Sequence, residues 1–347
     1  MNNLIINTAN KTLEIALIKD GKSFSYLSDS NIKHNEAMIP QLDKILQSQN
    51  LDINEIDEFG VVIGPGSFTG IRVGIATIKA FRDVNKCKAK SINNLKYLYS
   101  LATKQNPDIE VVAILGSADS FFVARKVLDK LYIYDRNLTF DELKSVSNNK
   151  QIGMFEQCEE VDCFVVRPDA DVLYQCMLES TDESLTPVYY QLSQAEREEI
   201  KHSTISIDCV SSNDMDTIAK IEEESLSFNR ISKQDFDHFI ESENHKIFVA
   251  KINNIVVGFI LLEITDEINI YTVAVDKNYR NIGLATQLVE RAKEFAKEVG
   301  IDKLSLEVSD NNLRAYLLYE KLGFAVRRIR KNYYADKSNA IEMELKV

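Results

Sequence analysis

Two glycine-containing turns in this sequence each follow an apolar run and lead into a helical pattern, an arrangement in which backbone N–H groups can bind phosphate. The later turn follows a strand-like segment that ends at Val275, and the helix after it has an apolar stripe. Gly283 permits close approach to the backbone there, and the N–H groups at the helix start suit a diphosphate. An ordinary strand–helix turn can have the same pattern, so the surrounding residues must decide. The residues of this loop are Arg280, Asn281, Ile282, Gly283, Leu284 and Ala285.

The earlier turn, GPGS at residues 64–67, lacks the chemistry of a nucleotide-binding loop. A Walker-type phosphate loop ends in Gly-Lys-Ser or Gly-Lys-Thr, and neither occurs here. His34 has no second histidine nearby with which to hold a metal ion. We therefore expect Gly64, Gly66 and Gly70 to shape the turn and to let the next helix pack closely. A vestigial nucleotide site is the alternative.

The composition excludes several classes of function. The formal net charge is −12 over 347 residues, and acidic residues outnumber basic ones in both halves, so neither half offers the broad basic surface that direct nucleic-acid binding requires. No apolar run reaches the roughly 18 residues of a membrane span, and no signal peptide is evident. The five cysteines form no C-x-x-C pair and no zinc-ligand pattern. We expect a cytoplasmic protein with free thiols, no metal ion, and no contact with membrane or DNA.

The first half alternates strand and helix patterns. Three short alternating runs over residues 4–28, with an Asp20-Gly21 turn between the last two, predict a hairpin-type start to a sheet. Apolar spacing predicts one helix over 36–49 and another after the glycine turn, over 69–83, with the strand EFGVVIG between them. This alternation implies an α/β layer.

A charged, poorly periodic stretch near residues 194–204 indicates a linker, and the length of the chain also favours two domains. The unit that follows is predicted to contain a strand, two helices, three strands, a long helix, a strand, a helix and a closing pair of strands. We assign the first domain to 1–197, with subdomains of about 1–105 and 106–197, the linker to 198–204, and the second domain to 205–347.

The second domain resembles the GNAT acetyltransferases, and within them the RimI family of ribosomal-protein alanine N-acetyltransferases. The resemblance spans residues 205–347 and rests on the loop at 280–285, the strand LEV, Asn312, and the runs YEKLGF and RKNYY. It implies an α+β acyltransferase fold with a mixed central sheet. It also implies that acetyl-CoA binds with its pyrophosphate on the loop and its pantetheine arm along the strand that carries Val273 and Val275.

The same resemblance implies roles for individual side chains. Glu307 corresponds to the general base that deprotonates the amine, directly or through one water, and Tyr319 to the general acid that protonates the CoA thiolate. Tyr333 and Tyr334 are candidates for holding a peptide terminus. Without the resemblance, a strand Glu is expected to face solvent and a helical Tyr to lie in a core. The implied acetyl-CoA-binding residues are Val273, Val275, Arg280, Asn281, Gly283, Leu284, Ala285 and Asn312.

The first domain resembles the TsaB family, strongly over 1–105 and less over 106–197, on its opening strands, the run GPGSFTGIR and the run PVYYQLSQAE. The resemblance implies an actin-like ATPase (ribonuclease H-like) fold. It further implies a non-catalytic subunit that supports TsaD, works with TsaE, and contributes to threonylcarbamoyladenosine formation in tRNA without binding tRNA itself. The early Asp of such folds is replaced by Asn7, and an amide is a weaker ligand for a hard cation than a carboxylate.

The TsaB resemblance also implies a partner face, formed by the helices predicted over 36–49 and 69–83. Burial of exposed apolar helix surface would drive such an interface. Candidate contacts, any of which could equally be internal core, are Met38, Ile71, Ile75 and Ile78.

Together these patterns predict a bifunctional chain, with a TsaB-like scaffold followed by an enzyme. The enzyme is predicted to acetylate the N-terminal amine, by resemblance an alanine, of a small-subunit ribosomal protein. Three alternatives remain open at this point. The enzyme could act on another N-terminus, a lysine or a small amine. Both halves could serve only as scaffolds of the tRNA-modifying complex, or the first half could hydrolyse ATP.

Overall fold

The computed structural model describes residues 1–28, 34–116, 120–134, 136–188, 204–225, 231–280 and 282–347. The chain divides into two compact units, Met1–Gln191 and Leu192–Val347. Residues 198–203 of the predicted linker lie outside the described ranges, so the domain limits 1–197 and 205–347 stay predictions. Within the described ranges, no helix combines the length and the apolar character that crossing a membrane requires.

The first sheet of the N-terminal unit has five strands and begins with an antiparallel meander, in agreement with the alternating pattern. Its strands are β1 (Asn3–Asn7), β2 (Glu14–Lys19), β3 (Lys22–Leu27), β4 (Glu58–Val62) and β5 (Lys88–Ile92). Their order is β3-β2-β1-β4-β5, with β1, β4 and β5 parallel. Asp20 and Gly21 have left-handed φ values of 51° and 74°, the two-residue hairpin turn that Asp-Gly favours.

The second sheet of this unit is built from short strands. They are β6 (Val111–Leu115), β7 (Ser120–Val127), β8 (Lys130–Ile133), β9 (Leu138–Thr139), β10 (Ile152–Met154) and β11 (Cys163–Val165). Their order is β11-β10-β6-β7-β8, and β9 pairs with β7. The helices are α1 (His34–Ser48), α2 (Phe68–Asn85), α3 (Asn94–Gln105), α4 (Phe140–Ser147) and α5 (Ala170–Glu179). Helices α1 and α2 are those that the apolar spacing predicts, whereas the sequence patterns predict no element at α3.

The C-terminal unit contains one seven-stranded sheet. Its strands are β12 (Ile205–Cys209), β13 (His245–Ile252), β14 (Ile255–Ile264), β15 (Ile268–Val275), β16 (Lys303–Ser309), β17 (Ala325–Arg330) and β18 (Ala340–Lys346). Their order is β12-β13-β14-β15-β16-β18-β17, and β15–β16 is the one parallel pair among these strands. The helices are α6 (Met215–Ser225), α7 (Lys233–Glu241), α8 (Leu284–Val299) and α9 (Leu313–Lys321). This order of elements confirms the predicted one.

Helices cover both faces of this sheet. Ile247 and Val249 of β13 pack in one apolar cluster with residues of α6 and α7. Phe248, between them, points to the other face, where its ring lies 5.6 Å from that of Phe295 in α8. The sheet is therefore a central layer, with α6 and α7 on one side and α8 on the other.

The glycine turn before α2 contacts the polypeptide itself. A Cβ atom on Gly66 would lie 2.2 Å from the carbonyl oxygen of Ala9, and one on Gly70 would lie 2.0 Å from that of Thr8. The Ser67 N–H donates to the Ala9 carbonyl oxygen at 2.7 Å. The turn and the start of α2 therefore pack directly on the chain that follows β1, in agreement with the structural interpretation of these glycines.

The Asn7 side chain lies in a buried polar network. Its Nδ2 donates to Glu14 Oε2 at 3.4 Å, and the Tyr97 hydroxyl donates to Glu14 Oε1 at 2.7 Å. Burial raises the pKa of Glu14 to about 7, while these two donors act in the opposite direction. Asn7 therefore belongs to the core, and no group of three metal-ligating side chains occurs in the part of the chain that the structure describes.

A cavity of about 310 Å³ lies in the N-terminal unit beside the glycine turn. Its polar lining is already engaged within the chain. Lys11 forms an ion pair with Glu156, and His34 Nε2 hydrogen-bonds to the carbonyl oxygen of Lys11. Because Lys11 is already paired with Glu156, its ammonium group is not free to bind a phosphate group.

We predict that Gly70→Ala destabilises the N-terminal unit by about 2 kcal/mol, because the added methyl group overlaps the Thr8 carbonyl oxygen. Thermal unfolding monitored by circular dichroism measures the change. Thr77→Ala on the same helix is the matched control, since its hydroxyl bonds only within the helix, to Val73. A Gly70→Ala chain as stable as wild type would contradict the packing interpretation.

Candidate active site

An opening in the sheet forms where β15 and β16 stop pairing. The two parallel strands are joined at three positions, the last of which pairs Ile270 with Leu306. On its other side β15 has a bulge at Tyr271, because Leu262 pairs with Ile270 and Leu261 with Thr272. A bulge bends its strand, so β15 turns away from β16 here. Among the residues that the structure describes, the peptide groups of 271–275 that face the opening have no strand partner.

The loop after β15 ends at an uncapped helix start. Gly283 is the N-cap of α8, with a left-handed φ of 87° and no side-chain cap hydrogen bond. A Cβ atom there would meet nothing within 4 Å, so the space beside it is open. Leu284 is buried and anchors the helix, and the first N–H groups of α8 have no acceptor within the helix. This start offers a diphosphate both donors and room.

Arg280 holds the loop against the elements on either side of it. Its Nε donates to the carbonyl oxygen of Val275 at 3.0 Å, and its guanidinium lies 3.5 Å from Ser225 Oγ of α6. The guanidinium therefore braces the loop and places a positive charge beside it. Asn281, also predicted to bind the cofactor, lies outside the described residues.

Val273 and Val275 lie along the opening. Both are half-buried, and they alternate with Thr272 and Ala274, of which Ala274 packs against α6. The two valines therefore belong to the face that carries α8. Asn312 is exposed and caps α9, where its side chain accepts a hydrogen bond from the Ala315 N–H at 3.2 Å.

Glu307 is the first residue of β16 after the last pair with β15. Leu306 and Val308 on either side are buried, so the Glu307 side chain projects from the opposite face of the strand. It forms an ion pair with Arg330 of β17. The opening separates Glu307 from β15, so a molecule placed in the opening can reach the carboxylate.

Tyr319 lies on α9 with only 7% of its surface exposed. Its ring packs edge-on against Phe324 with centroids 5.7 Å apart, and its hydroxyl has no hydrogen-bond partner among the described residues. Burial, with a smaller contribution from Tyr334, raises the pKa of Tyr319 well above its usual value. The phenol is therefore protonated at neutral pH, as a proton donor must be.

Tyr333 and Tyr334 follow β17 and pack edge-to-face with centroids 5.1 Å apart. Tyr333 is exposed, and the Arg330 guanidinium carbon lies 4.1 Å from its ring centroid. Burial raises the pKa of Tyr334. Arg330 thus contacts both Glu307 and Tyr333.

The sequence patterns include Arg330 only as the first residue of the run RKNYY, without a role, and they do not single out Glu222. Glu222 is fully buried on α6, and within the described residues neither carboxylate oxygen makes a hydrogen bond of good geometry, although the Thr272 hydroxyl and the Ile231 N–H act to lower its pKa. Burial raises the pKa of Glu222 to about 7. The sequence does contain one signal for Glu222. It lies next to the apolar stripe of α6, and a charged residue there must be buried together with that stripe.

Two family models match the chain. Residues 215–324 match the model described as the acetyltransferase (GNAT) family. Residues 28–138 match the model described as TsaD, tRNA N6-adenosine threonylcarbamoyltransferase. The matches fall in the C-terminal and N-terminal units respectively.

Two relatives and one solved structure are also similar to the chain. An N-alpha-acetyltransferase of Sulfurisphaera tokodaii is 31% identical over 144 residues, 38% of this chain and 86% of the relative. The [ribosomal protein bS18]-alanine N-acetyltransferase of Escherichia coli K12 is 32% identical over 111 residues, 31% of this chain and 75% of the relative. The structure of YeaZ from Pseudomonas aeruginosa is 18% identical, covers 54% of this chain and 99% of its own, and has a TM-score of 0.43.

The open sheet and the uncapped helix start, together with the family model that matches this unit, assign it to the acyltransferases that use acetyl-CoA. The chain belongs to the GNAT acetyltransferase family through its C-terminal unit. The predicted resemblances of the two halves, to GNAT enzymes and to the TsaB family, are confirmed, as is the α/β fold class with mixed sheets. The roles of individual site residues stay predictions.

We predict that Gly283→Ala raises the dissociation constant of acetyl-CoA about tenfold, because its methyl group strains the turn and enters the space beside the helix start. Gly300→Ala is the matched control. Gly300 ends the same helix with a φ of 76° and equally open space, so the cost in stability should be similar. Calorimetric titration measures affinity. Equal losses of affinity in both variants would contradict the assignment of the loop.

Proposed function

We propose that the C-terminal unit transfers the acetyl group of acetyl-CoA to the N-terminal amine of a protein, with an alanine-starting small-subunit ribosomal protein as the substrate. The observation that carries this proposal is the opening between β15 and β16, with Glu307 on one of its strands and Tyr319 on the helix after that strand. The names of the relatives from Sulfurisphaera tokodaii and Escherichia coli support an N-terminal amine as acceptor.

Each step of the reaction has a candidate group. An α-amine has a pKa of about 8 and is largely protonated at neutral pH, so the Glu307 carboxylate must take a proton, directly or through one water. The neutral amine attacks the thioester carbon. A backbone N–H near Val273 stabilises the oxyanion that forms. Collapse of this intermediate breaks the carbon–sulfur bond, and the Tyr319 hydroxyl gives its proton to the thiolate. The acylated nitrogen loses its extra proton to water, and the Tyr319 phenolate takes up a proton in turn. The products are the N-acetylated terminus and CoA.

The remaining site residues bind and orient the two substrates. We assign the pyrophosphate to the N–H groups after Gly283 with Leu284 and Ala285, and to the charge of Arg280. Val273 and Val275 lie along the pantetheine arm, and Asn312 contacts CoA from the start of α9. The exposed ring of Tyr333 and the half-buried Tyr334 hold the peptide terminus.

We predict that Glu307→Gln lowers kcat about a hundredfold and that Tyr319→Phe lowers it about tenfold, since each removes one proton-transfer group. The assay is CoA release with peptides that differ only in the first residue, plus a blocked peptide with an internal lysine. Glu344→Gln, which removes a carboxylate of β18 that pairs with Lys303, is the control and retains activity. A folded chain that binds acetyl-CoA but releases no CoA with any N-terminal peptide would refute the proposed function. Acetylation of the blocked peptide alone would identify a lysine acetyltransferase.

For the N-terminal unit we propose a non-catalytic, TsaB-like role, in which it supports a TsaD-like protein and a TsaE-like ATPase in tRNA threonylcarbamoyladenosine formation. The match of residues 28–138 to the TsaD model supports this role. The backbone fills the space beside Gly66 and Gly70, and Lys11 is paired with Glu156. Both observations favour a non-catalytic role over ATP hydrolysis.

The partner face on α1 and α2 must be drawn from exposed residues. The candidate contacts suggested by sequence spacing are all buried in the core, namely Met38, Ile71, Ile75 and Ile78. Ile39 and Phe68, which are 44% and 53% exposed, are the large apolar side chains that the two helices present near the glycine turn. An interface here would cover them.

We predict that Ile39→Asp and Phe68→Asp each reduce co-purification with the TsaD-like partner at least tenfold, because a carboxylate would be buried in an apolar interface. Val84→Asp is the control. Val84 is 73% exposed and lies on the same α2 helix, about 24 Å further along. If the control weakens co-purification as much as the other two, the face is placed wrongly. Co-purification that survives while cellular acetylation is unchanged in Glu307→Gln would favour a purely scaffolding chain.

A further inference from the structure

Four charged side chains from three strands meet on the face of the sheet that carries Glu307. Glu307 of β16 lies directly opposite Glu342 of β18, and two carboxylates at such a pair repel each other unless cations intervene. Arg330 of β17 supplies one cation, through an ion pair to Glu307 and an Nε that lies 2.8 Å from Glu342 Oε1. Arg328 supplies the other, with Nε 2.6 Å from Glu342 Oε2.

The two contacts of Arg330 differ in quality. Its contact with Glu342 is a charge contact without hydrogen-bond alignment, since Arg330 Nε and Glu342 Oε1 are both buried atoms with no aligned partner. The Arg330 guanidinium can therefore still form an aligned hydrogen bond with Glu342 Oε1. The Arg330 side chain is 33% exposed and stacks on the ring of Tyr333, so it can turn without opening the core.

We propose that Arg330 is a positioning residue of the acceptor site, an exchangeable counter-ion that holds the Glu307 carboxylate until the incoming amino group replaces it. On release the guanidinium aligns with Glu342 Oε1 and stays beside the acceptor. This inference rests on the proposed function, in which Glu307 receives the proton of the amine. Arg330 belongs neither to the loop at 280–285 nor to the pair of Glu307 and Tyr319, so its role is additional to theirs.

The consequence is a site that favours an amine able to lose its proton. A cation close to the bound amine lowers the pKa of that amine, because it disfavours the charged form. An α-amine starts near a pKa of about 8 and a lysine side chain near about 10.4, so the α-amine is neutralised far more readily. Arg330 therefore helps the site to neutralise a bound α-amine, while the advantage of N-termini over lysine side chains comes from this difference in starting pKa.

The charged groups that face Glu307 come from several elements. On β17 and β18 they include both signs, and the loop after β17 adds two phenols. The hydrogen bond that Arg328 donates is the largest cause that lowers the pKa of Glu342, which is therefore an anion at neutral pH. These groups are Arg328, Arg330, Glu342, Glu344, Tyr333 and Tyr334.

The test is the pH dependence of kcat and KM for Arg330→Gln with the full chain, acetyl-CoA and an alanine-starting peptide. Loss of the cation raises the pKa of the bound amine, so the acid limb of the kcat profile moves about one pH unit to higher pH. At pH 7 we expect kcat to fall about tenfold and to recover by pH 9. KM falls as well, because the protonated amine no longer competes with Arg330 for Glu307. Damage to the fold would lower kcat at every pH and would not lower KM.

Two variants serve as controls. Arg327→Gln removes the same charge from the same strand. Because Arg327 contacts Glu344, at 3.8 Å, we expect this variant to keep the wild-type pH profile. Arg330→Lys keeps a cation and restores most of the profile. An active enzyme whose Arg330→Gln profile is unshifted, or shifted no more than that of Arg327→Gln, overturns this inference alone. A wild-type chain that leaves the peptide unmodified overturns the proposed function and this inference with it.

Discussion

Two parallel strands of the C-terminal unit are joined at three positions and then separate, and the arrangement of the candidate site follows from that separation. The bulge at Tyr271 bends β15 away from β16. The loop after β15 then starts α8 at one end of the opening, while β16 presents Glu307 at its edge and leads to α9 with Tyr319. A continuous ladder would close the opening and leave peptide groups of β15 no role beyond pairing.

The two glycine turns of the chain have similar local sequences but different surroundings. Beside Gly66 and Gly70 the space is filled by the backbone of Thr8 and Ala9, so those glycines permit packing. Beside Gly283 the space is open and the helix start has no cap, so that glycine exposes donors. What lies opposite the turn decides between structure and binding, and this depends on the tertiary fold.

Much of the fold could be predicted from the sequence, because long periodic segments such as α8 and β14 carry their own pattern. The second sheet of the N-terminal unit could not, since strands such as β9 and β10 have two or three residues. Helical spacing placed Ile71 and Ile75 on one face but could not tell core from interface. The contact of Arg330 with Glu307 could not be predicted, because it depends on the register of β16, β17 and β18, which no local pattern specifies.

A crystal structure of the chain with acetyl-CoA tests the central claim most directly. We expect the diphosphate at the N–H groups after Gly283, the pantetheine arm in the opening beside Val273, and the sulfur within hydrogen-bond distance of the Tyr319 hydroxyl, with Glu307 near the acetyl carbon. Acetyl-CoA bound away from the opening, or a sulfur that neither Tyr319 nor Glu307 can approach, would contradict it.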